Sequence, residues 1–323
     1  MSEQSKPEQG RSKQGAGKRG AAKRTATERN TTELARLHVK KTYKLYVGGK
    51  FPRSESGRSY AVTGPDGAEL ANAALASRKD ARDAVTAARK AHRAWAAQTA
   101  YLRGQILYRA AEMLEGRAGQ FTEELSAATG KEPHETLGTV EAAIDRLVHY
   151  AGWTDKFASV LGGANPVAGP FFNHTKPEPL GVVAVFAPQD DPLLGLVEAI
   201  APAIATGNAV VVVASEAKPL AALSFAEVLA TSDLPGGVVN LLSGKVAEIA
   251  PHLAGHEDVN GIDLGGVEDA ALAAELEATA AGTLKVVRRP GTAGSSLDAL
   301  RRWVEYKTVW HPAGMAAGVG GGY

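Results

Sequence analysis

The spacing of apolar residues predicts strands, and then helices, in the N-terminal part of this chain. Two short apolar stretches, 44–51 and 58–62, are separated by polar turn residues, which predicts a β-hairpin. Further on, apolar residues recur every three or four positions, as they do on one face of a helix. Ser77 and Asp80 have the spacing of a capping box, and Gly130 is expected to end a helix. The segments with helical spacing are 81–95, 102–114, 121–128 and 140–151.

After Gly181 the pattern changes to continuous apolar runs that alternate with helical segments. Runs without a polar face are typical of strands that are buried on both sides in a parallel sheet. The predicted fold class is therefore α/β, with a Rossmann-like parallel sheet flanked by helices over residues 181–291. The predicted strands are 182–186, 210–213, 238–242, 262–264 and 284–287, and the helices between them are 192–206, 220–229, 246–253 and 269–281.

Charge is distributed unevenly along the chain. The first 41 residues contain eleven Lys and Arg residues and four Glu residues, so they carry +7 while the rest carries −6, for a net charge of +1. Few large apolar residues occur before Leu34, which predicts a disordered basic tail over 1–41. The simplest role for such a tail is a solubilising extension. Polyanion binding is the alternative, but no aromatic residue lies between the charges, which argues against nucleic acid.

Composition also bears on the compartment and on metal sites. No apolar run approaches the ~18 residues of a membrane-spanning helix, and the first residues lack the apolar core of a secretory signal, so we expect a cytoplasmic protein without a membrane partner. The chain has no cysteine, which excludes disulfides and thiolate metal sites. No carboxylate completes a metal set around His252 and His256, so we predict no metal site. The glycine-rich end, 313–323, is expected to be a flexible tail.

Several motifs between Leu45 and Pro290 occur in an order that is typical of one enzyme family. They are Arg103–Glu115, Thr129–Lys131, Pro179–Ala184, Ile200–Asn208 and Pro235–Asn240. On these motifs the chain resembles the NAD-dependent aldehyde dehydrogenase superfamily. The resemblance implies an oxidoreductase label and an NAD-type cofactor domain, of which 42–157 would form the N-terminal hairpin and helical layer.

The residues that would oxidise an aldehyde are missing. Members of the family attack the carbonyl with a cysteine thiolate, and this chain has none. Where the family's general-base motif Leu-Glu-Leu-Gly-Gly should follow Val287, residues 288–291 read Arg-Arg-Pro-Gly, without a carboxylate. Residues 292–296 then stand as a truncation linker in place of the catalytic domain. We therefore predict no catalytic residue.

A further change affects the oxyanion. In the family's Pro-Trp-Asn motif the Asn amide donates a hydrogen bond to the oxyanion, and the matching residue here is Asp190. An ionised carboxylate only accepts hydrogen bonds and would repel the developing negative charge. The interpretation that we favour is that Asp190 or Asp191 caps a helix beginning at Pro192.

The cofactor motifs are altered as well. The lysine of the family's Lys-Pro-Ser-Glu stretch, which holds the adenosine ribose, is absent. Val246 and Ala250 stand where the resemblance places glycines, and their side chains would lie where the cofactor approaches the backbone. Asp263 adds a negative charge that would oppose a pyrophosphate. We expect no cofactor, or weak NAD binding. The surviving positions, which we expect to be vestigial, are Glu216, Gly244 and Gly265.

Two segments resemble the family's β-sheet oligomerisation arm, namely 158–180 and the C-terminal strand 297–312. In dimers of the family the arm of one subunit adds to the catalytic-domain sheet of its neighbour. The resemblance thus implies that this chain can give an arm but cannot accept one. The alternative for the aromatic residues, Trp303 above all, is packing under the chain's own Rossmann layer. The residues expected at a partner contact are Phe171, Phe172, Trp303, Tyr306, Val309 and Trp310.

Three functions are compatible with these features. The first is a catalytically inactive subunit that assembles with a full-length aldehyde dehydrogenase and stabilises, positions or regulates it. The second is a residual NAD(P)-binding oxidoreductase that acts on aldehydes. The third is a protein that binds a polyanion through its basic tail. We favour the first, because the arm is kept while the nucleophile and the base are missing.

Overall fold

The computed structural model describes residues 40–289 and 296–313, and in these ranges the chain forms ten helices and eleven strands. The predicted tail up to residue 39, the linker residues 292–295 and the end from 314 lie outside the described residues. No described helix is both long and apolar enough to cross a membrane.

The strands are β1 (Thr42–Tyr43), β2 (Ser59–Thr63), β3 (Glu69–Ala74), β4 (Gly163–Asn165), β5 (Phe171–Pro179), β6 (Val182–Phe186), β7 (Ala209–Val213), β8 (Val239–Leu242), β9 (Gly261–Asp263), β10 (Val286–Arg288) and β11 (Val304–Pro312). The helices are α1 (Arg78–Ala96), α2 (Ala100–Glu115), α3 (Ala118–Thr129), α4 (Pro133–Ala151), α5 (Phe157–Leu161), α6 (Leu194–Ala205), α7 (Leu220–Ala230), α8 (Val246–Ala254), α9 (Ala270–Ala281) and α10 (Ser296–Arg302).

Five parallel strands form the main sheet, in the order β10-β9-β6-β7-β8. Every residue of β6 and β7 is buried, because helices cover both faces of the sheet. Val183 and Val185 belong to an apolar cluster that includes α4 and α6, whereas Val182 and Ala184 belong to a second cluster with α1, α8 and α9. The predicted α/β fold, with a parallel sheet flanked by helices, is confirmed.

The predicted hairpin of 44–51 with 58–62 is wrong in its pairing. β2 pairs antiparallel with β3 instead, across a turn at 64–67. The first apolar stretch lies on the outer edge of β8, where Tyr46 and Leu241 exchange backbone hydrogen bonds of 2.9 and 2.7 Å. Without this contact, the outer edge of β8 would expose unpaired backbone groups. β3 carries no strand signal, because its sequence ELANAA has no β-branched or aromatic residue.

The last two residues of the predicted basic tail belong to the folded part, so the tail boundary at residue 41 is wrong. Lys40 lies 2.7 Å from the Glu69 carboxylate, and Lys41 lies 3.1 Å from that of Glu227. Arg117 also bonds Glu227, at 2.7 Å. Burial alone would raise the pKa of Glu227, but the hydrogen bonds from Arg117 and Lys41 outweigh it and hold the pKa below its usual value.

The predicted helix signals at Ser77 and Gly130 are confirmed. The Ser77 hydroxyl accepts the backbone N–H groups of Lys79 and Asp80, and the Asp80 carboxylate accepts the Ser77 N–H at 2.8 Å. This capping box satisfies donors that the first turn of α1 leaves unpaired. Gly130 ends α3 with a φ of 72°, in the left-handed region that favours glycine.

The arm is a separate three-stranded sheet in the order β11-β5-β4. β11 and β5 pair antiparallel along their whole length, from Val304 opposite Pro179 to Pro312 opposite Phe171. The predicted strand 297–312 is correct only from Val304, because α10 occupies the residues before it. That helix is held by Leu300, which is buried in the main apolar cluster.

Trp303 belongs to the core of this chain and not to its surface. Its side chain is 1% exposed, and its ring lies 3.0 Å from where a Cβ on Gly261 would stand. Its carbonyl accepts a hydrogen bond from the Asn208 side chain at 2.8 Å. The expectation that Trp303 contacts a partner is therefore wrong, and the alternative of packing under the chain's own Rossmann layer holds.

A buried ion pair joins the ends of β9 and β10. Asp263 and Arg288 lie opposite each other in the strand register, and Arg288 Nη1 is 2.7 Å from Asp263 Oδ1. The same oxygen accepts the Gly265 N–H at 2.8 Å. The Asp263 side chain is 2% exposed. Burial raises the pKa of this carboxyl, and the charge of Arg288 acts in the opposite direction.

Trp303→Ala is expected to destabilise the fold strongly, because it removes a buried indole ring. Gly261, against which the ring packs, has no side chain to fill the resulting cavity. Truncation of a buried Trp costs about 3–5 kcal/mol. Tyr101→Ala is the control, since Tyr101 is 70% exposed and exposed substitutions stay within about 0.5 kcal/mol. The free energies of unfolding are measured in urea. Similar losses for both variants would contradict the assignment of Trp303 to the core.

Arg288→Ala is expected to be far more harmful than Arg289→Ala. The first removes the cation that bonds the buried Asp263 carboxylate, and removing one partner of a buried pair costs about 3–5 kcal/mol. Arg289 instead pairs with Glu277 at the surface, so its loss should change stability little. Urea unfolding of the two single variants, which differ only by one position, makes the comparison. Equal midpoints would show that the Asp263 pair is not needed.

Candidate functional site

A cleft of about 670 Å³ lies at the carboxyl ends of the parallel strands, where ligands bind in open sheets of this type. The loops after β6, β7, β8 and β9 line it, and β2 closes one side. A larger surface groove of about 880 Å³ follows α2 and the end of α4, and none of the predicted site residues lines it. The polar residues that line the cleft include Tyr60, Gln189, Asp190, Glu216, Lys218, Glu268 and Asp269.

Gln189 ties three of these loops together with its side-chain amide. Its Nε2 donates to the carbonyls of Ala187, at 3.0 Å, and Gly266, at 3.3 Å. Its Oε1 accepts the Glu216 N–H at 2.8 Å. The sequence reasoning missed this residue, although it stands at the tryptophan position of the Pro-Trp-Asn motif. The change from an indole to an amide at this position could have indicated that the side chain hydrogen-bonds the loops around the cleft.

Glu216 places its carboxylate at the N-terminus of α8. Its Oε2 accepts the Val246 N–H at 3.3 Å. Helix N-termini attract anions because their first N–H groups are unpaired and the helix dipole is positive there. In this chain a side chain of the protein takes that position. The Tyr60 hydroxyl donates to the Glu216 carbonyl at 3.2 Å, and burial, followed by the negative charge of Glu216, raises the pKa of Tyr60.

The two retained glycines do not line the cleft. Gly244 has a φ of 146°, and a Cβ there would lie 3.2 Å from the Ala76 backbone nitrogen. A Cβ on Gly265 would overlap the Arg288 guanidinium. Both glycines thus make room for packing within the chain. Of the three retained positions, the structure brings only Glu216 to the cleft.

Two expectations about side chains near a cofactor need correction. Val246 does line the cleft, but Ala250 is 0% exposed and lies in the apolar core, so it approaches no ligand. Asp263 was expected to repel a pyrophosphate, but its carboxylate is buried and paired with Arg288. The negative charge that faces the cleft comes from other residues.

The predicted cap of α6 is also wrong. The helix begins at Leu194 after the N-cap residue Leu193, and no side chain caps it. Asp190 instead lies 3.3 Å from the Lys218 ammonium, with its side chain 94% exposed. Pairs of this kind at the surface contribute little to stability. The helix starts later than Pro192 and buries ten of its twelve residues, so packing holds it without a cap.

The residues present do not suit the pyrophosphate of a dinucleotide. A pyrophosphate needs free backbone donors and positive potential. Here the Val246 donor is engaged, and Lys218 is the cation among the lining residues. No group of three or more His, Cys, Asp or Glu residues in the described chain could hold a metal ion. The carboxylates that line the cleft are Asp190, Glu216, Glu268 and Asp269.

The arm presents large apolar side chains at its surface. Phe172 and Trp310 are 53% and 55% exposed, and the ring of Trp310 meets that of Phe171 edge to face at 5.8 Å. Tyr306 is 46% exposed, and Val309 is half-buried. Of the six residues expected at a partner contact, all but Trp303 are therefore at least partly accessible on the arm.

Comparisons with known proteins agree on one family. The sequence pattern of the aldehyde dehydrogenase family matches residues 51–288. The protein DhaS of Bacillus subtilis (strain 168), which bears an aldehyde dehydrogenase name, is 33% identical over 253 residues, covering 77% of this chain and 50% of DhaS. The chain spans about half the length of the curated relative it matches.

Solved structures give the same result. The NAD+ complex of aldehyde dehydrogenase from Bacillus cereus superposes with a TM-score of 0.73 at 27% identity, covering 76% of this chain and 50% of that one. HpcC from Thermus thermophilus gives a TM-score of 0.73 at 28% identity, covering 76% and 47%. The matched segment, the parallel sheet and its flanking helices place this chain in the aldehyde dehydrogenase family.

Proposed function

We propose that this chain is a non-catalytic subunit that assembles through its arm with a cysteine-containing aldehyde dehydrogenase and stabilises or regulates it. The observation that carries the proposal is the contrast between the two candidate sites. In the arm, β11 and β5 pair over nine residues and form a continuous sheet with β4. The cleft, by contrast, presents carboxylates where a dinucleotide needs donors.

The exposed aromatic residues support an assembly role. Phe172, Tyr306 and Trp310 lie on one small sheet and are each 46–55% exposed. Tyr306 and Trp310 share one face of this sheet, whereas Phe172, opposite His311, lies on the other. Exposed apolar side chains on a sheet with a free edge are typical of sites of protein association. The resemblance to the family implies that such an arm docks on the catalytic domain of a neighbouring subunit. An active relative would supply that surface.

The position of the arm relative to the body is also defined, which an assembly role requires. The Trp303 carbonyl, directly before β11, accepts hydrogen bonds from Asn208 at 2.8 Å and from the Leu180 backbone at 3.4 Å. Leu180 directly follows β5. Both long strands of the arm are thus anchored to the body at the same point, so a partner bound to the arm would be held in a defined orientation.

The absence of cysteine from the sequence supports a non-catalytic role. The residual oxidoreductase alternative requires a bound dinucleotide, and the geometry of Glu216 and Val246 does not favour it. The polyanion alternative depends on a tail that, up to residue 39, lies outside the described residues. Neither alternative has a described contact that favours it.

Purification of the tagged chain from its native host is expected to recover a cysteine-containing aldehyde dehydrogenase in a fixed ratio. The double variant Phe172→Ala with Trp310→Ala should lose most of this partner, because it removes exposed apolar contact area from the arm. Tyr101→Ala, which removes an exposed aromatic residue from α2, should retain it. The recovered proteins are quantified by mass spectrometry. Recovery of the chain without any dehydrogenase would contradict the proposed function.

Calorimetry with NAD+ at millimolar concentration is expected to show no saturable heat. The physical reason is that Glu216 occupies the N-terminus of α8 and that four carboxylates line the cleft. The aldehyde dehydrogenase from Bacillus cereus, whose structure is an NAD+ complex, serves as the positive control in the same buffer. Micromolar binding by this chain would revive the oxidoreductase alternative.

A further inference from the structure

The outer edge of β11 offers unpaired backbone groups whose identity follows from the strand register. In the described chain β11 is an edge strand and pairs only with β5. Directly opposite residues of an antiparallel pair alternate between those that exchange backbone hydrogen bonds and those that do not. Leu180 donates to the Trp303 carbonyl, and Ala313 donates to the Pro170 carbonyl. Both contacts continue the register of β11 with β5.

The odd-numbered residues of β11 therefore direct their N–H and C=O groups toward β5. The even-numbered residues direct theirs outward, away from the arm sheet. Tyr306, Thr308 and Trp310 form the central part of this outward row, and Pro312, which has no N–H, ends it. The edge can thus pair with another antiparallel strand whose free N–H and C=O groups have the same spacing.

We propose that a second copy of this chain supplies that strand, so that β11 pairs with β11 across a two-fold axis at Thr308. The two arm sheets then form one continuous six-stranded sheet. Each Thr308 exchanges both backbone hydrogen bonds with the Thr308 of the second copy. Each Tyr306 does the same with Trp310 of the second copy, so every outward group from 306 to 310 is satisfied.

Charge selects this register from the neighbouring ones. A two-fold register that pairs outward-directed residues can be centred on Lys307, Thr308 or Val309. Centring on Val309 places Glu305 opposite Ala313, whose side chain offers no hydrogen-bond donor, and centring on Lys307 places two Lys307 side chains directly opposite each other. Like charges in direct opposition destabilise a sheet. Centring on Thr308 instead places Glu305 opposite His311, whose ring N–H can donate to the carboxylate, and Lys307 opposite Val309.

The aromatic residues favour the same register. Because residues in direct opposition share a face, Tyr306 lies beside Trp310 of the second copy, twice in the pair. Within each chain Trp310 already meets Phe171 edge to face. The pairing would therefore join these rings into aromatic clusters on one face of the sheet. Aromatic cross-strand pairs stabilise sheets by about 0.2–1 kcal/mol each.

This inference goes beyond the proposed function and does not rest on it. Both use the arm, but here the occupant is a second copy of the chain and the contact is a defined strand register. The two assemblies compete for the arm, so the homodimer would be the form that exists without the dehydrogenase partner.

The absence of cysteine allows a direct test by cross-linking. Single variants Lys307→Cys, Thr308→Cys and Val309→Cys each place one thiol per chain. A residue on the two-fold axis faces its own copy with Cα atoms about 5.5 Å apart or less, within the reach of a disulfide, which ends near 7 Å. A residue one position off the axis is displaced from its copy by about 7 Å along the strands. We expect a disulfide-linked dimer for Thr308→Cys and at least tenfold less for the other two.

The unmodified chain provides the second measurement. Sedimentation equilibrium at micromolar concentrations is expected to give twice the chain mass of 33.5 kDa. Thr308→Pro should weaken this association by about tenfold or more, because it removes an outward N–H from the centre of the pair. That N–H makes no bond to β5, so the fold should stay intact by circular dichroism. Lys307→Pro, which removes an inward N–H, is the control that should disturb the arm itself.

The outcomes separate this inference from the proposed function. A monomer at all concentrations would overturn the homodimer and leave the dehydrogenase partner untouched. A dimer that cross-links best through Lys307→Cys or Val309→Cys would overturn the register. A dimer linked through Thr308→Cys would support this inference. If purification also recovers no dehydrogenase, the proposed function would be contradicted while this inference stands.

Discussion

The packing of Trp303 against Gly261 fixes the arm to the parallel sheet, and much of the rest of the structure depends on it. Gly261 is the first residue of β9, and its missing side chain leaves the space that the indole ring fills. The last residue of the same strand, Asp263, holds Arg288 at the end of β10. A strand of three residues thus anchors both segments that flank the connection between the sheet and the arm. Buried contacts thus hold Arg288 before the connection and Trp303 after it.

The cleft shows how a binding site is changed without a change of fold. The strands and the helix that form it are those of the family, and the N-terminus of α8 still faces the cleft. What differs is that Glu216 turns its carboxylate to Val246 and that Gln189 joins three loops. Each of these contacts satisfies a donor within the chain. A ligand would have to break them before it gained its own hydrogen bonds, and it would do so among four carboxylates.

Local signals made the main sheet predictable, whereas distant pairings left the first strands and the site uncertain. β6 and β7 are continuous apolar runs, and two-sided burial is the one environment that suits them. Tyr46, by contrast, pairs with Leu241, almost two hundred residues away. Glu216 could be found from its motif, but the partner of its carboxylate lies on another loop, thirty positions further on. The aromatic residues of the arm were predictable as a group, but their separation into a buried Trp303 and an exposed Trp310 depends on strand order, which a motif along the chain does not contain.

The free edge of β11 links the arm's chemistry to its assembly. Outward N–H and C=O groups are well hydrated in the isolated chain, so pairing them adds only about 0.5–1.5 kcal/mol for each hydrogen bond. Packing of Tyr306 against Trp310 supplies a further driving force, and any partner that adds to the edge of β11 must compete for these same residues. A dehydrogenase would therefore have to bind the arm more tightly than a second copy does, by an amount set by the concentration of free chain. In the two proposed assemblies, the same arm surface would both join the chain to a partner and limit how readily partners exchange.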